Sequence, residues 1–352
     1  MSSSSQTMQQ IADALGLNRV TVSLVINGHA ERRGVAAKTV ERVNACLRET
    51  GYVPSREAVA LRTGQRCGLG ILHCGHLYSH VAQAFNLMVQ ACVSVSSGVE
   101  VVVRPPDGLL DGMRELVSRG VERAVWIQSV GTQIPPSMRG EVLALGRRLS
   151  PIVYNYRFDL DEDAEELIAN GFSLIGLSRR SGYCQMARFV KSLGHRRVVL
   201  ADACTSGGLP RIDSQLVEAM RSYGLDVIVP DWKPPSATNL VERGAQLARC
   251  LLRLRRREEF GMVCFRDDEV AGGAISVLMQ NGVLVPGDLG VVSMDGHPLG
   301  DLFRVPLTTL AVPVGEMVRK TLLLCAPSSV NSGPLSIRFR YRLIRRSSHA
   351  ET

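Results

Sequence analysis

A guanidinium group, two hydroxyl groups and two aliphatic side chains lie within a short stretch near the amino terminus of this 352-residue chain. They belong to Arg19, Val20, Thr21, Ser23 and Leu24. A guanidinium can bond to phosphate or to a guanine edge through two hydrogen bonds, and an aliphatic side chain can contact the methyl group of thymine. Hydroxyl groups bond to phosphates and fix the register of a protein on a duplex. These side-chain types therefore suit contacts to double-stranded DNA, if one element presents them together.

The flanking residues predict two short helices separated by a tight turn. Thr7 and Gln10 have the spacing of a capping box, and Gly16 permits a sharp turn after the first helix. Asn18 is a suitable cap for the second helix. Apolar residues recur at helical spacing and predict the inner faces of both helices: Ile11, Ala12, Leu15, Val22, Val25 and Ile26. A helix-turn-helix of this kind places its second helix in the major groove of DNA.

The same periodicity occurs in small helical units that do not bind DNA, so the pattern alone leaves both interpretations open. The residues themselves are more specific. The segment IADALGLNRVTVSLVING resembles the helix-turn-helix of the LacI/GalR family of bacterial transcription regulators, TVERVNACLRETGYVPS resembles its third helix, and EAVALRTGQ resembles its hinge helix. We therefore expect an all-α helix-turn-helix DNA-binding domain at 1–53, a hinge helix and linker at 54–66, and an effector-binding and dimerisation domain at 67–352.

The resemblance implies a role for each matching residue. Arg19 and Val20 fall where the family reads bases, and Leu61 falls where a leucine is wedged into the minor groove. Phosphate contacts are implied for Thr21, Ser23 and Asn27. The full set of predicted DNA-binding residues is Thr7, Arg19, Val20, Thr21, Ser23, Leu24, Asn27, Arg32, Arg33 and Leu61.

Three departures from the family change details of this prediction. Leu24 stands where many members carry arginine, so a guanine contact is replaced by a side chain suited to a thymine methyl group. Ala36 replaces the usual Ser or Thr cap of the third helix. The loop HAERRGV is about three residues longer than is typical on our alignment, and it adds Arg32 and Arg33. These two arginines either contact phosphate or belong to a solvated surface loop.

The predicted hinge, 55–63, is too short to be a stable helix in water, because isolated helices of fewer than about 12 residues are marginal. It can fold when two copies meet on DNA. Ordering of the hinge is then part of the binding free energy, and a change that separates the two hinges releases the DNA.

From Cys67 onward, short apolar runs alternate with amphipathic stretches, which predicts βαβ units and a mainly parallel sheet. The candidate strands are GLGILHC, VEVVVRP, RAVWIQS, PIVYNY, LIGLS, RRVVLAD, LDVIVPD, GMVCFRD and GVVSMD, with helices at 81–95, 182–193 and 270–281 among those between them. LSIRFRYRLIRR alternates apolar and polar residues and predicts one late strand.

The family resemblance extends into this region, most clearly in SLGHRRVVLAD and in MVCFRDDEVAGGAISVLMQNGVLVPGDLGVVSMDGHPL. It implies an α/β, two-lobed body like that of periplasmic binding proteins, with a small molecule bound between the lobes. We expect the first lobe at about 67–174 plus 308–328, and the second at about 175–305 plus 329–346.

Four residues are predicted to bind the effector. Asp295 corresponds to an aspartate that commonly bonds ligand hydroxyls in the family, Asp267 takes a usual Asn position, and Arg211 lies near a ligand-pairing arginine. Carboxylates and a guanidinium in one pocket suit a polyol or a sugar acid. Helix capping is an equally plausible role for Asp267 and its neighbours Asp268 and Glu269.

The fourth predicted effector residue, His76, belongs to HCGHLYSH, which departs from the family pattern. His73, Cys74 and His80 accompany it. His76 and His80 are one helical turn apart, so metal binding is conceivable, but no four-ligand set is visible and polar lining of the cleft is the favoured interpretation. We expect neither a metal nor a cofactor.

Composition limits the remaining classes. The net charge of +8 is weak evidence for DNA binding, and nine cysteines without a Cys-x-x-Cys pair indicate a reducing compartment. The sequence shows no signal peptide and no long apolar segment, so a cytoplasmic location is expected. The absence of familiar catalytic motifs argues against an enzyme.

The sequence thus predicts a homodimeric repressor that binds a near-palindromic operator and responds to a small metabolite. A regulator that acts without an effector, or through a protein corepressor, is the main alternative. A cytosolic small-molecule binding protein is a weaker one, because the amino-terminal segment would then have no role.

Overall fold

The chain forms two compact units, Met1–Arg66 and Cys67–Thr352, in the computed structural model. The structure describes residues 7–26, 28–50, 69–75, 77, 79–94, 98–121, 123–128, 134–159, 163–201, 214–232, 239–326 and 333–349. The second unit begins at the residue where the sequence analysis places the start of the body. Along these described ranges, no helix is both long and apolar enough to cross a membrane.

The described part of the first unit contains the helices α1 (Met8–Leu15), α2 (Arg19–Ile26) and α3 (Ala37–Thr50). The predicted capping box is confirmed, since Thr7 Oγ1 accepts from the Gln10 amide at 3.3 Å and Gln10 Oε1 accepts from the Thr7 amide at 2.7 Å. Gly16 ends α1 with a φ of 64°, a left-handed conformation that glycine adopts without strain.

The three helices share one small apolar core, whose buried members are Ile11, Ala12, Val22, Val25, Ala30 and Val43. Ala30 belongs to the loop between α2 and α3, which contains a short 3₁₀ helix at Glu31–Arg33. Burial of Ala30 anchors this loop, and Arg42 of α3 donates to the Leu15 carbonyl at 3.0 Å. The loop is therefore held by packing rather than by a side-chain cap on α3.

The first lobe of the body is built on a six-stranded parallel sheet. Its strands are β1 (Leu69–Cys74), β2 (Val99–Arg104), β3 (Ala124–Ile127), β4 (Ile152–Arg157), β5 (Ser173–Leu177) and β11 (Ser336–Phe339), in the order β11-β5-β4-β3-β1-β2. The helices of this lobe are α4 (Ser79–Ser94), α5 (Leu109–Ser118), α6 (Arg139–Leu149), α7 (Ala164–Ala169) and α12 (Val314–Cys325). Every residue of β1 and β4 is buried, as expected of strands covered on both faces.

The second lobe has its own six-stranded sheet. The strands are β6 (Arg197–Ala201), β7 (Asp226–Ile228), β8 (Met262–Phe265), β9 (Gly290–Asp295), β10 (Thr308–Ala311) and β12 (Arg342–Ile344), in the order β12-β10-β9-β8-β6-β7. Its helices are α8 (Arg179–Ser192), α9 (Ser214–Ser222), α10 (Leu240–Leu254) and α11 (Asp268–Gln280). All pairs are parallel except β10 with β12.

The nine strands predicted from apolar runs are all present, and the three predicted helices correspond to α4, α8 and α11. β10 was not predicted. One apolar cluster includes Val81 of α4, Met186 of α8 and Met317 of α12, so the two lobes share a continuous core on one side.

The prediction of one late strand was wrong. β11 lies parallel to β5 at the edge of the first sheet, whereas β12 pairs antiparallel with β10 in the second sheet. Side chains alternate with the same period in both strands, so the sequence pattern does not show where the chain leaves one sheet and enters the other.

The predicted lobe boundaries were also wrong at three places. β5 extends to Leu177 within the first sheet, β10 belongs to the second sheet, and β11 belongs to the first. Only α12 lies where the prediction for 308–328 puts it, against α4, β4 and β5 of the first lobe. The sheet that each of these strands joins depends on which strand edge is open for pairing. That edge is a property of the assembled sheets rather than of the local sequence.

Candidate functional site

In the first unit, α2 presents the predicted contact residues on the side that faces away from the core. Asn18 Oδ1 accepts from the Val20 amide at 2.8 Å and fixes the start of the helix. Val22 and Val25 are buried. Arg19 is exposed, Val20 exposes 64% of its surface, and three further predicted residues are half-buried: Thr21, Ser23 and Leu24. The helix therefore offers a guanidinium and aliphatic surface beside hydroxyl groups.

Two other predicted contacts lie in the loop that precedes α3. Arg32 and Arg33 are both exposed, and the exposed Glu31 precedes them, so the loop carries mixed charge. Thr7 is exposed and its hydroxyl caps α1. Asn27, Leu61 and the hinge segment 54–66 lie outside the described residues.

In the second unit, polar side chains collect at the carboxyl ends of the strands in both sheets. On the first lobe, His73 is the next-to-last residue of β1, and its Nδ1 lies 3.2 Å from the Ile127 carbonyl oxygen. Asn155 of β4 has a φ of 66° and donates from Nδ2 to the Gln128 carbonyl at 3.0 Å. This edge of a parallel sheet is where ligands bind in α/β proteins.

On the second lobe, Asp267 follows β8 and caps α11. Its Oδ1 accepts from the Glu269 amide at 2.8 Å and from the Val270 amide at 3.2 Å, so the capping role that the sequence left open is confirmed. Burial, together with the nearby Asp295 carboxylate, raises the pKa of Asp267 to about 8. Both effects favour the protonated form of this carboxyl group.

Asp268 is buried behind the cleft and holds the segment that follows β9. Its Oδ1 accepts from the Thr309 hydroxyl at 2.8 Å, and its Oδ2 accepts from the His297 amide at 2.6 Å. Burial raises the pKa of Asp268 to about 7, although the hydrogen bonds oppose the shift. These contacts give Asp268 a structural role.

Asp295 is the last residue of β9 and has a φ of 106°, which is unusual for a residue with a side chain. Its Oδ1 lies 3.4 Å from Nδ1 of His80, which is on α4 of the first lobe, so this pair crosses the cleft. Burial alone would raise the pKa of Asp295, but His80, Arg179 and Arg266 stabilise the carboxylate and hold its pKa below the ordinary value. A strained backbone of this kind is typical of functional sites.

The structure thus brings two of the four predicted effector residues together, since Asp267 and Asp295 interact electrostatically. His76 and Arg211 lie outside the described residues. The sequence analysis missed Arg179 and Arg266, which follow β5 and β8. Their positions were a usable signal, since Arg179 directly follows the predicted strand LIGLS and Arg266 lies near the carboxyl end of GMVCFRD. Side chains at the carboxyl ends of parallel strands face the binding crevice.

The histidine cluster does not form a metal site among the residues that the structure describes, where no group of three His, Cys, Asp or Glu side chains is placed to hold an ion. His73 and His80 have the separate contacts given above, and burial raises the pKa of the Cys74 thiol to about 11. A thiol is a poor metal ligand until it loses its proton.

A surface pocket of about 450 Å³ lies at the opposite, amino-terminal edge of the second sheet. It is lined by 194–197, Arg255 and 258–261. Arg197 in its wall is paired with Asp226 at 2.6 Å and with Glu258 at 3.1 Å. The cleft at the carboxyl ends of the strands is the better candidate site, because its charged groups come from both lobes and shift one another's pKa values.

The chain matches two protein-family models. Residues 7–55 match the model described as bacterial regulatory proteins, lacI family, and residues 187–348 match the periplasmic binding protein-like domain. The HTH-type transcriptional regulator Rv3575c of Mycobacterium tuberculosis (strain ATCC 25618 / H37Rv) is 28% identical over 332 residues, which are 87% of this chain and 86% of that protein.

Solved structures share the fold. A lac repressor dimer bound to operator and the anti-inducer ONPF is 18% identical, with a TM-score of 0.64, and the match covers 98% of this chain and 99% of that one. A complex of the transcriptional regulator CelR with cellobiose is also 18% identical, with a TM-score of 0.59 and coverage of 97% and 99%. Both matches extend over nearly the whole of this chain, so the shared fold includes both of its units.

Proposed function

Because this chain belongs to the LacI family of bacterial regulatory proteins, we propose that it is a sequence-specific transcriptional repressor controlled by a small molecule. In this proposal, residues 1–53 read the operator, 54–66 form the hinge, and 67–352 bind the effector and dimerise. The protein acts in the cytoplasm, and it binds its ligand without chemical change rather than as an enzyme.

The observation that carries the proposal is the outward face of α2. Two buried valines and the Asn18 cap fix this helix against α1 and α3, so Arg19 and Val20 project into solvent. A helix held in this way can enter the major groove with its first residues against base edges. Arg19 then donates to a base, Thr21 and Ser23 contact phosphates, and Leu24 lies against a thymine methyl group.

Additional contacts extend this surface in the proposal. Thr7, Asn27, Arg32 and Arg33 bond to phosphates, and Leu61 enters the minor groove when the hinge becomes ordered. The lac repressor dimer bound to operator supports a two-fold arrangement of paired amino-terminal domains on a near-palindromic site. Dimerisation of this chain through the body is part of the same proposal.

In this proposal, the cleft between the two sheets binds the effector that controls operator affinity. Asp295 accepts from ligand hydroxyls, and Asp267, when protonated, can donate to a ligand oxygen while it caps α11. His76 and Arg211 are proposed to complete the binding site. The sugar complex of CelR supports a carbohydrate or a related metabolite as the ligand. Ligand binding changes operator affinity only if the ligand prefers one arrangement of the lobes.

The full-length protein tests this function directly. Genomic fragments are selected against excess random competitor DNA, and the preferred fragment is then titrated with and without pools of metabolites. We expect enrichment of near-palindromic fragments, bound by one dimer each, and at least a tenfold change in affinity with one metabolite. Absence of any preferred fragment would overturn the proposal. A preferred fragment whose affinity no metabolite changes would favour the alternative of a regulator that works without an effector or with a protein corepressor.

A further inference from the structure

Two polar contacts within the chain itself join the lobes of the body. In the first, Nδ1 of His80 on α4 lies 3.4 Å from Oδ1 of Asp295 at the end of β9. Both side chains are largely buried, since His80 exposes 10% of its side chain and Asp295 exposes 16%. Because α4 belongs to the first lobe and β9 to the second, this pair can form only while the lobes lie close together.

The second contact joins the segment after β4 to two helices of the second lobe. Oδ2 of Asp159 accepts from the Arg180 amide of α8 at 2.9 Å, and the Asp159 carbonyl accepts from Nε2 of Gln215, on α9, at 3.3 Å. The donors and the acceptors of these hydrogen bonds lie on different lobes. A change in the angle between the lobes would therefore alter both hydrogen bonds.

The contact between His80 and Asp295 is one that a ligand can replace. Its distance of 3.4 Å exceeds the usual N···O hydrogen-bond distance of about 2.9–3.0 Å. Nδ1 of His80 is buried, and it has no hydrogen-bond partner among the residues that the structure describes. If the two side chains move apart, a ligand hydroxyl between them can donate to the carboxylate and accept from the imidazole. Two hydrogen bonds would then replace one long contact, which is favourable for buried polar atoms.

The same contact restrains the carboxylate that is proposed to bind the effector. Burial alone would raise the pKa of Asp295, and His80 makes the largest of the contributions that hold it below the ordinary value. A ligand that bonds to Asp295 therefore competes with His80 for one carboxylate. The Asp159 contact is made to a backbone amide and involves none of the predicted effector residues.

We propose that His80 and Asp295 form a clasp that holds the two lobes together without a ligand, and that the effector acts by taking the place of His80 on Asp295. The Asp159 contact supports the same arrangement of the lobes but is not exchanged for a ligand. This inference rests on the proposed function and adds a regulatory step to it. Opening of the clasp changes the arrangement of the lobes, on which operator affinity depends.

Unfolding of the full-length protein in urea tests whether the clasp exists. His80→Phe keeps a ring but has no nitrogen, and Asp295→Asn keeps a side chain that tolerates a positive φ. We expect His80→Phe to lower the urea midpoint of the wild type. In the Asp295→Asn background its effect should be less than about half as large, because the carboxylate that it leaves unpaired is absent. An equal effect in both backgrounds would overturn the clasp.

Operator affinity without any metabolite tests whether the clasp controls DNA binding. On the preferred DNA fragment, His80→Phe and Asp295→Asn should each change the affinity by at least about fivefold, in the same direction. His80→Gln should restore most of the wild-type affinity, because its amide can donate to Asp295. Asp159→Ala should also change the affinity in that direction, and the exposed Asp111→Asn is the control that should not. Unchanged affinity in His80→Phe, or opposite effects of His80→Phe and Asp159→Ala, would contradict the proposal.

The exchange of His80 for a ligand has its own measurement. A metabolite that changes the operator affinity of the wild type should change that of His80→Phe less, because the clasp is already open. Equal responses of the two proteins would show that the ligand does not displace His80.

These measurements separate the inference from the function on which it rests. A preferred DNA fragment that wild type and His80→Phe bind equally well removes the control by the clasp and leaves the regulator. Unfolding that couples His80 to Asp295, in a protein that prefers no DNA fragment, keeps the clasp between the lobes and removes the transcriptional function.

Discussion

Arg19 and Arg179 occupy the same local position in two different regions of the molecule. Each is the first residue of its helix and follows a side-chain cap, Asn18 in one case and Ser178 in the other. Arg19 is exposed, whereas Arg179 is half-buried near Asp295, Arg266 and two tyrosines. The same helix-start pattern thus gives a solvated surface group in one region and a constrained charge in the other.

This difference sets what substitutions can do. On α2, the contact residues point away from the core, so their removal should change DNA binding and leave folding intact. In the cleft, charged groups are buried among one another, so a substitution alters hydrogen bonds, pKa values and stability together. Three experiments can break or sharpen this contrast.

The largest effect is expected from Asp268→Ala. The variant leaves the Thr309 hydroxyl and the His297 amide without their acceptor in a buried position, so the free energy of unfolding should fall by about 2–4 kcal/mol. Chemical denaturation of the full-length protein measures this. The exposed Glu165→Ala should change stability by less than about 0.5 kcal/mol. If the two variants are equally stable, the buried network does not support the body as we describe it.

A smaller effect, confined to binding, is expected from Arg19→Ala. Loss of a bidentate base contact should weaken specific operator binding by about 1–3 kcal/mol, with no measurable change in unfolding. Fluorescence anisotropy with specific and random DNA measures the difference. Arg319→Ala removes the same charge from the body and serves as the control. An equal loss on random DNA would show that Arg19 contacts phosphate and does not read a base.

The third experiment concerns pH and gives the smallest effect. Because the pKa of Asp267 is raised to about 8, the native protein keeps a proton that the unfolded chain releases, and stability should fall as pH rises from about 5 to 8. Asp268 contributes with the same sign. Asp295 contributes with the opposite sign. Because its pKa is lowered in the native protein, its carboxylate stabilises the fold at pH values above the ordinary pKa of aspartate. That stability is lost as the pH falls through the lowered pKa.

Asp267→Asn keeps an oxygen acceptor for the Glu269 and Val270 amides but cannot titrate. The decline of stability with pH should become shallower by up to about 1.4 kcal/mol per pH unit, which denaturation at several pH values can resolve. The exposed Asp111→Asn should leave the wild-type slope unchanged. Parallel curves for wild type and Asp267→Asn would mean that Asp267 is ionised in the native protein.

Most of the first unit was predictable because its signals are local. The Thr7–Gln10 capping box, the left-handed Gly16 and the Asn18 cap each involve residues no more than a few positions apart. In the body, the apolar runs identified nine strands but not β10, a short strand with two threonines whose pairing with β9 and β12 completes the second sheet.

The cleft was predictable only in part. Asp267 and Asp295 were identified through the family resemblance, whereas Arg179 and Arg266 were not. The role of His80 depends on Asp295, which is more than two hundred positions away along the chain. The spacing of apolar residues along the chain does not indicate a contact between residues so far apart in sequence.

The sequence by itself determined the helix-turn-helix, the alternation of strands and helices and the side-chain types at strand ends, because caps, turns and hydrophobic periods act over a few residues. The tertiary structure alone decided which sheet receives β5, β10, β11 and β12, and which charges meet around Asp295. Strand pairing and electrostatic coupling depend on distances in the folded chain, and these exist only once the two lobes have formed.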